Sequence, residues 1–219
     1  MKFWKKIFAL LILTAAALAF GGCNYDHELK NLDILTAVGI DKAKDRSQYD
    51  VYAQVLKADR AVEESYGESY RYFKGVGYDI PSAVETIYNQ GSGELAFAHN
   101  KLYLFSHDAT KNMTEMRGVL LGDIFDIRPQ SYCAVVKNDM SYFMASVDEY
   151  GFDCCYKLLQ LLKKTDNVPT VSDLLGVLSD EGKTILIPEV EVQNGVVGIS
   201  KWLVVDINGV QSMVNRVYR

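Results

Sequence analysis

The chain has 219 residues, a net charge of −5 at neutral pH and a hydrophobic fraction of 49%. The acidic balance argues against a nucleic-acid-binding protein, which needs clustered Lys and Arg to neutralise phosphates. The apolar fraction and fourteen tyrosines indicate a folded domain and not a disordered stalk, and the length fits one domain, or one domain and a fragment.

The first 22 residues have the three parts of a secretory signal peptide. A basic start, Met1–Lys6, is followed by an uncharged run of fourteen residues, Ile7–Phe20, and then by two glycines. A helix of that length rises about 21 Å, short of the ~30 Å hydrocarbon core, which argues against a permanent transmembrane span. An N-terminal core helix is a further alternative, but the run is apolar on every side and has no single apolar stripe.

A cysteine, Cys23, stands where this apolar segment ends. The residues before it resemble the lipobox of bacterial lipoproteins, in which small residues precede a cysteine that receives a diacylglycerol thioether; Phe20 stands where the lipobox usually has Leu. The resemblance implies cleavage between Gly22 and Cys23 and a covalent diacylglycerol on Cys23, with no other cofactor. Two acyl chains hold a protein firmly, whereas one chain alone is marginal. An ordinary signal peptide with an incidental cysteine is the alternative.

Cleavage at this point would leave 197 residues, and the loss of three lysines would change the net charge from −5 to −8. Such a chain has little electrostatic attraction to anionic lipid, so attachment to a membrane would depend on the acyl chains. Three further cysteines, Cys133, Cys154 and Cys155, make an odd number, which does not form a disulfide framework. We expect them to be buried free thiols.

The first predicted elements after Cys23 are strands. A polar tether, residues 23–31, leads into a strand over Leu32–Ala43, and an alternating segment over Tyr49–Ala58 completes a hairpin. A third strand follows over residues 70–77, and its two glycines, Gly75 and Gly77, weaken its end.

Two helices alternate with two strands next, and three helices followed by two strands complete the chain. Asp79 is a candidate helix cap, and Pro81 in the first turn fits a helix start. Asn194-Gly195 is a strong signal for a tight hairpin between the last two predicted strands. The predicted helices are 79–93, 110–127, 139–147, 153–164 and 168–182; the predicted strands are 99–107, 131–137, 184–192 and 195–209. This order predicts an α+β fold, a mixed β-sheet packed with several helices, preceded by a lipoprotein signal peptide.

Residues that could support catalysis or bind a metal are sparse. His99 and His107 are eight residues apart, about 26 Å along a single strand, too far to share an ion. Ser106, His107 and Asp108 are consecutive, but a catalytic triad is assembled in space from separate segments. We therefore predict no catalytic residue and no metal site, and the ligand-binding residues stay unknown.

Several segments resemble one family, the Ger(x)C lipoproteins, which are the C subunits of spore germinant receptors. Its members have a lipid cysteine, a Glu-Leu segment and a strand that ends in Gly-Ile-Asp, which here are Cys23, Glu28-Leu29 and Gly39-Ile40-Asp41, followed by Lys42. Residues 97–106 are similar to the family's Ser-His-x-Lys strand, with Ala98 in place of Ser. Residues 126–139 and 166–192 resemble its later segments.

The resemblance implies a non-enzymatic, lipid-anchored subunit on the outer face of the spore inner membrane. Its implied partners are the integral membrane A and B subunits of the receptor, with no nucleic acid and no metal. It also implies domains at residues 1–22 (signal peptide), 23–31 (tether) and 32–219 (the family's N-terminal domain, without the C-terminal portion that family members usually have). The alternatives are an independent ligand-binding surface lipoprotein of a transporter and a surface hydrolase.

Overall fold

The computed structural model describes residue 4 and residues 32–43, 47–56, 70–91, 94–122, 127–147 and 151–214. The chain divides into two units, Met1–Asn31 and Leu32–Arg219, and the second contains every element considered below. The predicted cleavage site at Gly22 and Cys23 and the predicted tether lie outside the described residues.

The described residues form an α+β fold around one mixed sheet of nine strands, which confirms the predicted class. The strands are β1 (Leu32–Lys42), β2 (Tyr49–Leu56), β3 (Tyr70–Gly77), β4 (Glu94–Ala96), β5 (Leu102–Ser106), β6 (Tyr132–Val136), β7 (Ile185–Gln193), β8 (Val196–Asp206) and β9 (Gly209–Val214). In the sheet their order is β3-β2-β1-β5-β6-β7-β8-β9, and β4 also pairs with β1.

Parallel strands form the centre of the sheet, and antiparallel hairpins form its two sides. β1, β5, β6 and β7 run parallel to one another. β2 and β3 continue the sheet antiparallel from β1, and β8 and β9 do the same from β7. The central strands are apolar on both faces, as parallel strands are when helices cover them on both sides.

Five α-helices supply that cover: α1 (Ile80–Tyr88), α2 (Met113–Leu121), α3 (Met140–Ala145), α4 (Cys154–Lys164) and α5 (Val171–Leu178). Helices α1, α2 and α5 place buried side chains in one hydrophobic core, and α3 and α4 do so in a second core. Three of these helices have an aspartate at the N-cap, namely Asp79, Asp139 and Asp153. Each carboxylate accepts a hydrogen bond from a backbone N–H of the first turn. Among the described residues no helix is long and apolar enough to span a bilayer.

Two glycines of β3 allow α1 to pack directly on the strand. A β-carbon at Gly75 would lie 1.8 Å from the carbonyl oxygen of Ala83, and one at Gly77 would lie 2.3 Å from Ser82 Oγ. β3 runs through Gly77 and is paired along its length with β2. Glycine is required here by the close approach of the helix backbone.

Two strands were not predicted from the sequence. β4 and β5 follow one another along the same side of β1, and a 3-10 turn, Phe97–His99, separates them. β9 pairs with β8 across a tight turn that ends at Gly209, whose φ of +108° suits glycine. Asn208-Gly209 repeats the Asn-Gly signal that correctly predicted the turn at Asn194-Gly195, where both residues have positive φ.

We expect Gly75→Ala to reduce the free energy of unfolding by roughly 3 kcal/mol or more, because the new methyl group collides with the backbone of α1. The measurement is urea-induced unfolding of the full chain. Gly118→Ala is the matched control, since Gly118 lies on α2 with no atom within 4 Å of a β-carbon built there. That variant is expected to be more stable by up to about 1 kcal/mol. Equal stability of the two variants would contradict this account of the packing.

Candidate functional site

A buried glutamate, Glu189, is the centre of a polar cluster beside the carboxyl end of β5. It lies on β7, is 1% exposed and is paired in register with Val135 of β6. On the other side a β-bulge in the pairing of β7 with β8 brings Ser200 and Lys201 alongside it. His107, which directly follows β5, completes the cluster.

The Glu189 carboxylate has three partners. Ser200 Oγ donates to Oε2 at 2.6 Å, His107 Nε2 lies 2.5 Å from Oε1, and Lys201 Nζ lies 3.3 Å from Oε1. Burial by itself raises the pKa of the Glu189 carboxyl, but the hydrogen bonds from Ser200 and His107 and the nearby positive charges lower it below its usual value overall. The cluster therefore keeps Glu189 ionised inside the fold.

This arrangement is not that of a serine hydrolase. In a nucleophilic triad the serine hydroxyl donates to histidine, whereas Ser200 donates to Glu189. The consecutive residues Ser106, His107 and Asp108 have three separate partners: Ser106 Oγ accepts from Ala109 N, His107 contacts Glu189, and Asp108 pairs with Lys111. Each of these contacts is made with a residue outside the run.

A second polar network joins three strands to a helix. Thr36 Oγ1 on β1 donates to Gln54 Oε1 on β2 at 2.6 Å, and Gln54 Nε2 donates to the Tyr72 hydroxyl at 3.1 Å. The Tyr72 hydroxyl, on β3, donates to Asp153, the capping residue of α4. The other carboxylate oxygen of Asp153 accepts from Tyr156 N at 3.0 Å. These bonds satisfy the buried polar groups of Gln54 and Asp153, so the network is structural.

The Gly-Ile-Asp-Lys segment at the end of β1 also has a packing role. A β-carbon at Gly39 would lie 2.7 Å from Met144 Sδ and 2.8 Å from Met140 Sδ, so α3 lies directly over this glycine. Lys42 Nζ donates to the Tyr49 hydroxyl at 2.9 Å, and Tyr49 donates to a carboxylate oxygen of Glu115 at the start of α2. This segment therefore fixes a helix on each face of the sheet.

The described cysteines agree with the prediction made for them. Cys133, Cys154 and Cys155 are buried thiols that form no disulfide, and burial raises the pKa of the Cys133 and Cys155 thiols. Thiols of this kind are poor nucleophiles because little thiolate is present at neutral pH. No group of three His, Cys, Asp or Glu side chains in the described part of the chain could hold a metal ion.

The comparisons with known proteins identify the family. A family model described as the spore germination protein N-terminal domain matches residues 26–192, about three quarters of the chain. The chain therefore belongs to the spore germination protein N-terminal domain family, which confirms the resemblance seen in the sequence. The comparison with curated proteins found no match.

Among solved structures, the chain is similar to the crystal structure of the GerBC protein, with 12% sequence identity and a TM-score of 0.42. That similarity covers 81% of this chain and 51% of the other. The chain thus spans about half the length of the GerBC structure that it matches.

We expect Glu189→Gln to lower the free energy of unfolding by about 1–3 kcal/mol at neutral pH, because the neutral amide loses charge-assisted bonds to His107 and Lys201. The folded-state pKa of Glu189 lies below its usual value of 4.5, so its contribution is complete above that pH and disappears as the pH falls through the folded-state pKa. Denaturant unfolding from pH 7 down to pH 3 measures both effects.

Glu191→Gln is the control, since Glu191 lies two residues further along β7 and pairs with the more exposed Lys137. Glu191→Gln should lower the free energy of unfolding at neutral pH by less than Glu189→Gln does. A Glu189→Gln variant that is as stable as the natural chain at pH 7 and equally sensitive to acid would contradict the role given to this cluster.

Proposed function

We propose that the chain is a non-enzymatic, lipid-anchored subunit of a spore nutrient germinant receptor, on the outer face of the spore inner membrane. The observation that carries the proposal is the family match over residues 26–192. This match begins three residues after Cys23, so the proposed anchor adjoins the matched domain in the sequence. The lipid would be a diacylglycerol bonded to the Cys23 sulfur, and cleavage would fall between Gly22 and Cys23.

The hydrogen bonds of the buried polar groups support the non-enzymatic part of this proposal. Glu189 and Asp153 are buried carboxylates of the kind that enzymes use, but their partners are side chains and backbone groups of the fold itself. The three described cysteines are buried thiols with no means of attacking an external substrate. These groups are engaged in contacts that stabilise the domain.

Assembly with the integral membrane A and B subunits of the receptor is the second part of the proposal. A lipid anchor confines the domain to the membrane surface, where its effective concentration near a membrane partner is high. Modest contacts between folded surfaces are then sufficient for a stable complex. Nutrient binding would lie mainly in the membrane subunits.

An independent ligand-binding lipoprotein of a transporter is the second candidate. The observation in its favour is a surface pocket of about 640 Å³ between the start of β7, β8 and the connection from α4 to α5. This volume is in the range of small-molecule sites. The candidate requires saturable binding of a solute at this pocket and no association with receptor subunits.

We expect Cys23→Ala to move the protein from the membrane fraction to the soluble fraction of spore extracts, because the two acyl chains supply the firm attachment to lipid. The measurement is fractionation of spores that express the full chain, followed by immunoblotting. Cys133→Ala is the matched control, since it also removes a thiol but should stay with the membrane. A Cys23→Ala protein that remains in the membrane fraction and assembles normally would contradict the proposed anchor.

A further inference from the structure

Three cationic side chains surround a small pocket at the amino-terminal edge of the parallel strands. The pocket has a volume of about 190 Å³, and Lys101, Arg128 and Lys163 contribute to its lining. Lys101 directly precedes β5, Arg128 lies in the turn before β6, and Lys163 lies in the last turn of α4. The three charges come from three separate segments, which only the fold brings together.

The segment that carries Arg128 is held firmly by backbone hydrogen bonds. Ser131 N donates to the Arg128 carbonyl at 3.0 Å, and Ser172 N donates to the Pro129 carbonyl at 3.0 Å. Val171 N donates to the Ser131 carbonyl at 2.8 Å, and the buried Ser131 hydroxyl donates to the Asn100 carbonyl at 2.7 Å. A ligand that binds here would therefore pay little entropy for ordering the backbone of the pocket.

The described residues do not neutralise the positive charge of this pocket. Six lysines elsewhere in the described chain form ion pairs with carboxylates. By contrast, Lys101, Arg128 and Lys163 form no ion pair within the part of the chain that the structure describes, and none of the described residues that line the pocket is a carboxylate. Uncompensated positive charge in a concave site, on a chain whose net charge is −5, favours an anionic ligand.

We infer that this pocket binds a phosphate group. A phosphate has several oxygens that accept hydrogen bonds at once, and arginine beside lysine is the combination that suits it. The carboxyl end of α4 contributes partial negative charge near the site, which the two lysines of its last turn offset. The volume is below the roughly 300–1,000 Å³ of drug-sized sites, so the pocket fits a small anion or a headgroup and not a large nutrient.

The position of the pocket favours a lipid headgroup as the source of the phosphate, and this step rests on the proposed anchor at Cys23. β1 is parallel to β5, and Lys101 N donates to the Thr36 carbonyl at 3.2 Å, so β1 begins at the edge of the sheet where the pocket lies. Nine Cα–Cα steps separate Cys23 from Leu32, and even fully extended they span at most about 32 Å. The anchor would therefore keep the start of β1 within that distance of the bilayer surface.

The test is thermal unfolding of the full chain in a non-ionic detergent, with increasing concentrations of two probes at constant ionic strength. The probes are inorganic phosphate and glycerophosphoglycerol, the water-soluble headgroup of phosphatidylglycerol. Ligands that bind the folded state raise the unfolding midpoint in a saturable way. Because phosphate also stabilises proteins through exclusion from their surface, the comparison between variants decides the result.

Arg128→Gln is expected to raise the apparent Kd of the pocket roughly tenfold or more, since it removes a charge-assisted contact. Lys163→Gln, an exposed change at the end of α4, should act in the same direction and serves as the second variant if Arg128→Gln does not fold. Lys164→Gln is the matched control: it removes the same charge from the same helical turn but from outside the pocket, and should leave the Kd unchanged.

A saturable shift with glycerophosphoglycerol that is lost in the pocket variants would support the inference with a lipid source. A shift with inorganic phosphate alone would support it with free phosphate as the source. The inference is overturned if neither probe gives a saturable shift, or if Lys164→Gln changes the response as much as the pocket variants do. The readout does not depend on membrane attachment, so this inference and the anchor at Cys23 can fail separately.

Discussion

Burial of the central strands on both faces is the constraint on which the rest of this fold depends. β5 and the inner part of β6 are almost wholly buried, and each apolar side chain removed from water contributes roughly 1.5–3 kcal/mol. Helices must therefore cover both faces, and this creates the two cores. On one face the cover requires the close contact of α1 with Gly75 and Gly77, and on the other it places α3 over Gly39. Polar groups within such a sheet must also find partners inside the protein, which explains the bonding of Gln54 and Glu189.

Local features of the fold could be predicted from the sequence because their causes are local. Asp79 caps α1 as expected, and Asn194-Gly195 forms the expected hairpin turn. β4 has only three residues, too few to show an alternating pattern. β9 is not among the predicted strands, although the Asn-Gly pair at Asn208-Gly209 marks its start. The polar clusters could not be predicted, because their members are far apart in sequence: His107 and Glu189 are separated by 82 positions. These residues come together only through the order of the strands in the sheet, which the hydrophobic pattern of the sequence does not specify.

The family and the polar chemistry point to the same kind of role. The chain belongs to the spore germination protein N-terminal domain family, and its buried carboxylates Glu189 and Asp153 are bonded to other groups of the fold. We propose that attachment to the membrane and assembly with partner subunits determine what this domain does. The cationic pocket around Arg128 lies at the edge of the sheet where β1 begins.

The most direct measurement of the central claim is the recovery of partners from spore membranes. The full chain would carry an affinity tag at its carboxyl terminus, dormant-spore membranes would be dissolved in mild detergent, and mass spectrometry would identify the captured proteins. A receptor subunit predicts co-purification of two multi-spanning germination proteins, at levels that fall for the Cys23→Ala protein. Recovery of the lipidated protein without either membrane subunit would contradict the proposed role and would favour an independent ligand-binding lipoprotein.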